Sequence, residues 1–235
     1  PAHDLALEAE VTFCVQGVIS PILAKVFLHE VLDCWFEETV KPRMRGRAHL
    51  VRYADDAVLL FEREADARRV LRVLYDRFAK YGLTVHPEKT RLVPFTRPPT
   101  TATTAKPYAG TFDLLGFTHH WGRSRRGNWV VKRKTAKDRF RRAVADIHAW
   151  CRDHRHQPVA HQWRVLHQKL DGHYAYYGIT GNSRCLNAFR TAVRARWRFW
   201  LNRRSEKGRM PWWRLWRLLE RYPLPPPRLT ARHRA

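Results

Sequence analysis

Leu50-Val51-Arg52-Tyr53-Ala54-Asp55-Asp56-Ala57-Val58-Leu59-Leu60-Phe61 is the stretch on which the fold turns. Two β-prone runs, His49 to Tyr53 and Ala57 to Phe61, meet at a pair of acids, the pattern of a hairpin with Asp55 and Asp56 at its tip. Adjacent carboxylates repel by roughly 4 kcal/mol at about 4 Å and moderate dielectric unless a cation lies between them. An isolated Asp-Asp pair is most often an ordinary turn, because Asp favours turn geometry. The apolar flanks reverse that balance, since a buried strand pair does not gather two acids without a use. Magnesium suits them: it takes a few carboxylates with phosphates and water, and two such ions can activate a hydroxyl and stabilise a leaving pyrophosphate.

Outward from the hairpin, helices and strands mix on both sides. Ser20-Pro21 offers a cap and a first-turn proline, and Ile22, Leu23, Val26, Phe27, Val31, Leu32 and Trp35 follow at helical spacing, predicting a buried helix that ends before Pro42. Residues 1–11 are short and partly acidic, and no strand is predicted there. Arg63 to Tyr81 reads as a helix with Val70, Leu71, Leu74 and Phe78 inward and Gly82 as its stop. Short strands at Leu83–Val85 and Arg91–Phe95 flank the turn His86-Pro87-Glu88-Lys89. Residues 96–110 form a Thr/Pro/Ala-rich linker, and further strands are expected at Phe112–Thr118 and Trp129–Val131.

Everything beyond is helical. Thr135 is the expected cap of a helix whose inner face is Phe140, Val144, Ile147 and Cys151. A second helix buries Trp163, Leu166, Leu170 and Tyr174, and a third Leu186, Phe189, Val193, Trp197 and Trp200. A fourth, after Pro211, turns Trp212, Leu215, Trp216 and Leu219 inward and runs into Pro223 to Pro227. The class is therefore α+β: an antiparallel sheet with helices over residues 1–134, then an all-α bundle over 135–235.

Charge divides the chain at the same place. Lys and Arg number 45 against 21 Asp and Glu, a net +24. Residues 1–117 hold 16 basic and 15 acidic side chains, whereas residues 118–235 hold 29 and six. Such an excess points to a polyanion, nucleic acid before anionic membrane, and exceeds what solubility needs. Seven of the ten tryptophans follow residue 130, too many for a disordered basic tail, so this half should fold. Cys14, Cys34, Cys151 and Cys185 are far apart and read as thiols of a reducing, intracellular compartment, bacterial cytoplasm or organelle. Cys151, His154 and His156 fit no common zinc spacing. The longest apolar run, Ile22 to Phe36, is broken by Lys25, His29 and Glu30 and does not span a bilayer.

Tyr53-Ala54-Asp55-Asp56 resembles the polymerase box of reverse transcriptases, and its neighbours fall in that family's order. Gln16-Gly17-Val18-Ile19-Ser20-Pro21 is similar to the preceding box, Gly82-Leu83 through Pro87, Lys89 and Thr90 to the following one, and Leu115-Gly116-Phe117 to the primer grip. Leu170-Asp171-Gly172-His173-Tyr174-Ala175-Tyr176-Tyr177-Gly178, Trp197 to Arg204 and Pro223-Leu224-Pro225 look like the thumb, or maturase domain, of group II intron proteins. The resemblance covers about residues 12–229. It implies a partial polymerase palm followed by a helical thumb, and Mg²⁺-dependent DNA synthesis from an RNA template with intron RNA binding. It places catalytic Mg²⁺ on Asp55 and Asp56. Gln16, Gly17, Tyr53 and Lys89 would lie near nucleotide or template, and Leu115, Gly116 and Phe117 under the primer end. The implied partners are intron RNA, an RNA/DNA template–primer duplex and a dNTP, without a membrane. Arg190, Arg194 and Arg198, four residues apart on one helix face, would meet phosphates.

The text departs from the family pattern twice. Cys14-Val15-Gln16-Gly17 stands where the family has Pro-Gln-Gly-Gly. Eleven residues precede Thr12, Asp4 is not expected to sit on the apolar strand that carries the family's first catalytic aspartate, and the fingers are expected to be missing from these residues. The expectation is a chain that is inactive alone and binds RNA or duplex without incorporating nucleotides. The rival is a non-enzymatic RNA-binding maturase or degenerate fragment.

Overall fold

The computed structural model describes residues 5–12, 25–54, 56–85, 90–105, 109–205 and 209–230. The chain divides into two compact units, Pro1–Lys132 and Arg133–Ala235. It is α+β, a partial palm-type sheet unit followed by a helical one.

In the first unit β1 (Leu5–Thr12), β2 (Ala48–Tyr53), β3 (Asp56–Phe61) and β4 (Thr84–Val85) lie in the order β2-β3-β1-β4, and β5 (Arg91–Pro94) also pairs with β1. β1 corrects the sequence reading, which has no strand before Thr12. Antiparallel pairing with β3, β4 and β5 supplies partners that short flanks could not. α1, described from residue 25, is π-wound over His29–Cys34 and Phe36–Val40 and closes in a 3-10 turn at Lys41–Arg43. Leu28, Val31, Leu32, Phe36 and Val40 are buried, whereas Val26 and Phe27, expected inside, are exposed. Pro42 sits within the closing turn rather than beyond it, at a position whose missing N–H costs no helical bond. The expected cap at Ser20-Pro21 and the inward Ile22 and Leu23 lie outside the described residues.

α2 (Glu64–Lys80) buries Val70, Leu74 and Phe78 against α1 and the sheet, and Gly82, at φ +68°, takes the left-handed conformation that stops it. The single strand expected over Phe112–Thr118 is instead a hairpin, β6 (Phe112–Leu114) and β7 (Phe117–Arg123). It reverses at Leu115-Gly116, where φ of 53° and 73° makes a primed two-residue turn. β8 (Trp129–Thr135) completes this three-stranded sheet.

The second unit holds α3 (Lys137–Asp153), α4 (Val159–Tyr177), α5 (Ser183–Leu201) and α6 (Trp212–Arg221). Leu166, Leu170, Tyr174, Phe189, Val193 and Trp197 centre its core. The indole N–H of Trp197 donates to Gln162 Oε1 at 2.9 Å, and the Gln162 amide donates in turn to the carbonyls of Arg155 and Gln157, so the buried polar atoms are satisfied. Thr135, the expected cap, closes β8 instead; α3 begins behind Ala136 without a side-chain cap. α6 departs furthest: Leu215 is buried, but Trp212 and Trp216, expected inward, face solvent. Cys34, Cys151 and Cys185 are free thiols, and burial pushes Cys151 up to about 12.

Candidate active site at the β2–β3 hairpin

Tyr53, the last residue of β2, pairs with Asp56, the first of β3. Ala54 sits at φ 54°, a left-handed conformation that costs a residue with a Cβ roughly 1–2 kcal/mol. Such strain persists only where the surroundings over-determine it, and here Arg52 does so. Its Nη1 donates to the Ala54 carbonyl at 2.8 Å, while Nε and Nη2 grip Asp33 Oδ1 and Oδ2 at 2.6 and 2.5 Å. One planar guanidinium thus ties the loop to α1, a geometry lysine cannot copy. Burial pushes the Asp33 carboxyl up, but hydrogen bonds and charge from Arg52 and His29 outweigh it and hold the group below its ordinary value. The pair stays ionised at neutral pH.

Asp56 opens β3 and is half-buried; Tyr53 ends β2 and is largely exposed. Asp55, Gln16, Gly17 and Lys89 lie outside the described residues. β1 adds what the sequence reading lacked. Its register sets Glu8 opposite Val58, Ala9 opposite Ala57 and Glu10 opposite Asp56. An acidic residue on a central strand therefore holds the pairing position across from the hairpin acid. Alternation was the available signal: Leu5, Leu7, Ala9 and Val11 interleave with Ala6, Glu8, Glu10 and Thr12. Arg52 and Asp33 carried no local signal, being 19 residues apart.

Leu115 and Gly116 form the tip of the β6–β7 hairpin, and Phe117 begins β7. Phe112 stacks flat on His119 (4.8 Å, 4°) and meets Phe95 edge-on at 4.9 Å, while the Trp121 indole donates to the Phe95 carbonyl at 3.0 Å. Val58 of β3 belongs to the same buried cluster. Aromatic packing thus fixes the hairpin that carries Leu115-Gly116-Phe117 to the strand that carries Asp56.

Arg190, Arg194 and Arg198 lie on α5 in the other unit, half-buried. Arg190 donates to the Leu224 carbonyl at 2.8 Å and Arg198 to that of Met210 at 3.0 Å. Burial first, then the charge of Arg190, lowers the pKa of Arg194. The row therefore has internal partners as well as donors left over; the Nε atoms of all three have no hydrogen-bond partner.

Among the described residues one other group could hold an ion: ligand atoms of His29, Glu30 and Cys34 lie within 4.8 Å of one another. Its soft donors suit zinc rather than magnesium. Burial, then Glu30, Glu38 and Asp33, push the Cys34 thiol up, so it is protonated at neutral pH. The carboxylate of Asp56 is by contrast a hard oxygen donor, of the kind that suits a hard divalent cation.

The first unit is thus an antiparallel sheet whose β2–β3 hairpin carries Asp56, with the β6–β7 hairpin packed onto it, an arrangement consistent with a partial polymerase palm. Residues 8–119 match the family model for reverse transcriptase (RNA-dependent DNA polymerase), from within β1 to within β7. Over these residues the chain is similar to a reverse transcriptase domain. No curated protein matches the chain. No helix among the described residues is long and apolar enough to cross a membrane.

Proposed function

We propose that this chain is the palm and thumb part of a group II intron-type reverse transcriptase, performing Mg²⁺-dependent RNA-directed DNA synthesis and binding intron RNA through its basic unit. The pairing of Glu10 with Asp56 across β1 and β3 carries this reading. The sequence alone argues for inactivity because the tip acids lack a strand-borne partner; that premise falls with β1. Asp55, Asp56 and Glu10 are the residues that would hold the metal, which when bound lowers the barrier by activating the primer hydroxyl and neutralising charge on the leaving pyrophosphate. Arg52 and Asp33 fix the loop before any ligand arrives, so little reorganisation is needed. Leu115, Gly116 and Phe117 support the primer end. Intron RNA, a template–primer duplex and a dNTP are the partners, in an intracellular setting. The 25 basic residues against six acidic ones between 133 and 235 support the RNA part.

The test is primer extension by the purified chain on an RNA template with Mg²⁺. Incorporation that is abolished by Asp55→Asn and Glu10→Gln, kept by Glu10→Asp, and accompanied by unchanged RNA binding, supports the enzyme. RNA binding with no incorporation by the unaltered chain leaves the docking-only reading. Extension by Asp55→Asn at the original rate removes the hairpin from the chemistry.

A further inference from the structure

α6 turns three tryptophans to solvent: Trp212, Trp213 and Trp216 are 44%, 55% and 48% exposed, while Leu215 among them is buried. Large exposed aromatic clusters mark interaction surfaces rather than ordinary solvent faces. Trp212 and Trp216 lie one helical turn apart with centroids at 6.2 Å and ring planes only 29° from parallel. Each also has a cation on it. Arg198 stands 4.3 Å from the Trp212 centroid, Arg194 5.5 Å from Trp216, and Arg214 and Arg217 5.2 and 5.6 Å from Trp213. Arg198 is itself anchored to the Met210 carbonyl. The anchored Arg198 guanidinium steadies the Trp212 indole, so a ligand meets at least one ring whose rotamer is already set.

The partner that fits must offer flat π faces in succession together with regularly spaced negative charge. Unpaired nucleotides do both. A duplex shows phosphates but hides its base faces, an acidic peptide has charge without stacking surfaces, and an anionic bilayer has charge and apolar depth without rings. The exposed Arg214, Arg217 and Arg221 on the same helix supply phosphate partners beside the indoles. The surrounding unit is strongly basic, with 25 Lys and Arg to six Asp and Glu.

We infer that α6 is a stacking platform for single-stranded nucleic acid, with bases on Trp212, Trp213 and Trp216 and phosphates on Arg214, Arg217 and Arg221. The inference rests on the nucleic-acid reading of the basic unit and not on chemistry at the hairpin. Sequence preference is low, because every base has a π face.

The experiment measures binding of the full chain to a labelled oligo(U) and to an RNA duplex of equal length, at several salt concentrations, with intrinsic tryptophan emission as a second readout. Oligo(U) quenches emission of the unaltered chain. Trp213→Ala and Trp216→Ala each weaken oligo(U) about 5- to 50-fold, leave duplex affinity within about twofold and keep the salt slope. Trp213→Phe, which retains a ring and the fold, recovers most of the affinity. Arg214→Gln with Arg217→Gln does the converse, lowering the salt slope by about 0.7 per residue on single strands. Equal losses for oligo(U) and duplex, or none for either, overturn the platform while leaving the basic unit a nucleic-acid binder. Emission shifts with phosphatidylserine vesicles but not with oligo(U) overturn it in favour of a membrane surface. Failure of the unaltered chain to bind either RNA overturns both this inference and the reading beneath it.

Discussion

Arg52 in the sheet unit and Arg198 in the helical unit are both held by a fork of hydrogen-bonding or ring contacts, yet they end differently. Arg52 meets the carboxylate of Asp33, so its charge is cancelled and only its shape, a clamp on the hairpin loop, remains. Arg198 meets a carbonyl and an indole, and Arg190 a carbonyl, so each has a neutral partner while its charge stays unanswered. The reason is supply. With 20 bases to 15 acids most arginines can find a carboxylate, but with 25 bases to six acids most must take neutral partners. One unit therefore uses charge to build a rigid loop, and the other keeps a positive field that an anion can answer.

The contrast between independent units is broken most sharply by core truncation. Trp197→Ala removes a fully buried ring and orphans the Gln162 acceptor, so the helical unit should lose about 3–5 kcal/mol. Denaturant unfolding should show that loss with the sheet unit's transition unmoved; a single transition shifted as a whole would make the two units one cooperative body. Asp33→Asn should cost the sheet unit less, about 1–3 kcal/mol, because the Arg52 pair is only partly shielded. The Asp33 pKa is depressed below 3.8, so its stabilisation is present above that value and disappears as pH falls through the native pKa. Melting temperatures between pH 7 and 3 should therefore drop at the acid end in the unaltered chain and less so in the variant.

The helical unit should respond in a different pH window. Burial holds the His173 imidazole down at about 4 against an ordinary 6.5, its ring stacked 3.8 Å from Phe189 and its Nε2 unpartnered. The unfolded chain takes up that proton first, so stability falls as pH drops from 6.5 towards 4, by about 1 kcal/mol at pH 5 after allowing for partial exposure. His173→Phe should flatten the slope, and an unchanged slope would place the titration elsewhere. The smallest effect is at Ala54. Ala54→Gly relieves the positive φ but adds backbone entropy to the unfolded chain, for a net gain under about 1 kcal/mol, whereas Ala54→Val should cost more than that. Chemical unfolding of the pair of variants measures both.

Legibility followed distance along the chain. The tip was readable because Tyr53, Asp56 and their apolar flanks are neighbours, and the α2 core face because Val70, Leu74 and Phe78 repeat at one helical period. Arg52 and Asp33 come together only through the fold. β1 had its alternation, but two alanines weakened the apolar side and two glutamates suggested a solvated end; three paired strands override that propensity. In α6 the spacing identified a stripe but not which edge of it meets the core. Leu215 is buried, Leu218 and Leu219 pack partly, and Trp212 and Trp216 are turned outward. Nothing in residues 29–40 announced hydrogen bonds of i→i+5 type.

Asn182, a buried amide, links segments 47 residues apart. Its Oδ1 accepts from the Thr135 N–H at 3.0 Å and its Nδ2 donates to Thr135 Oγ1 and to the Tyr177 carbonyl, each at 2.9 Å. Closing a loop of that length costs about 3 kcal/mol of chain entropy, more than a pair of hydrogen bonds returns before the helices between have condensed. The clasp therefore belongs to the downhill side of the folding barrier. An Asn182→Ala chain should refold at an almost unaltered rate and unfold faster, so that this one side chain governs how long the helical unit stays folded rather than how quickly it forms.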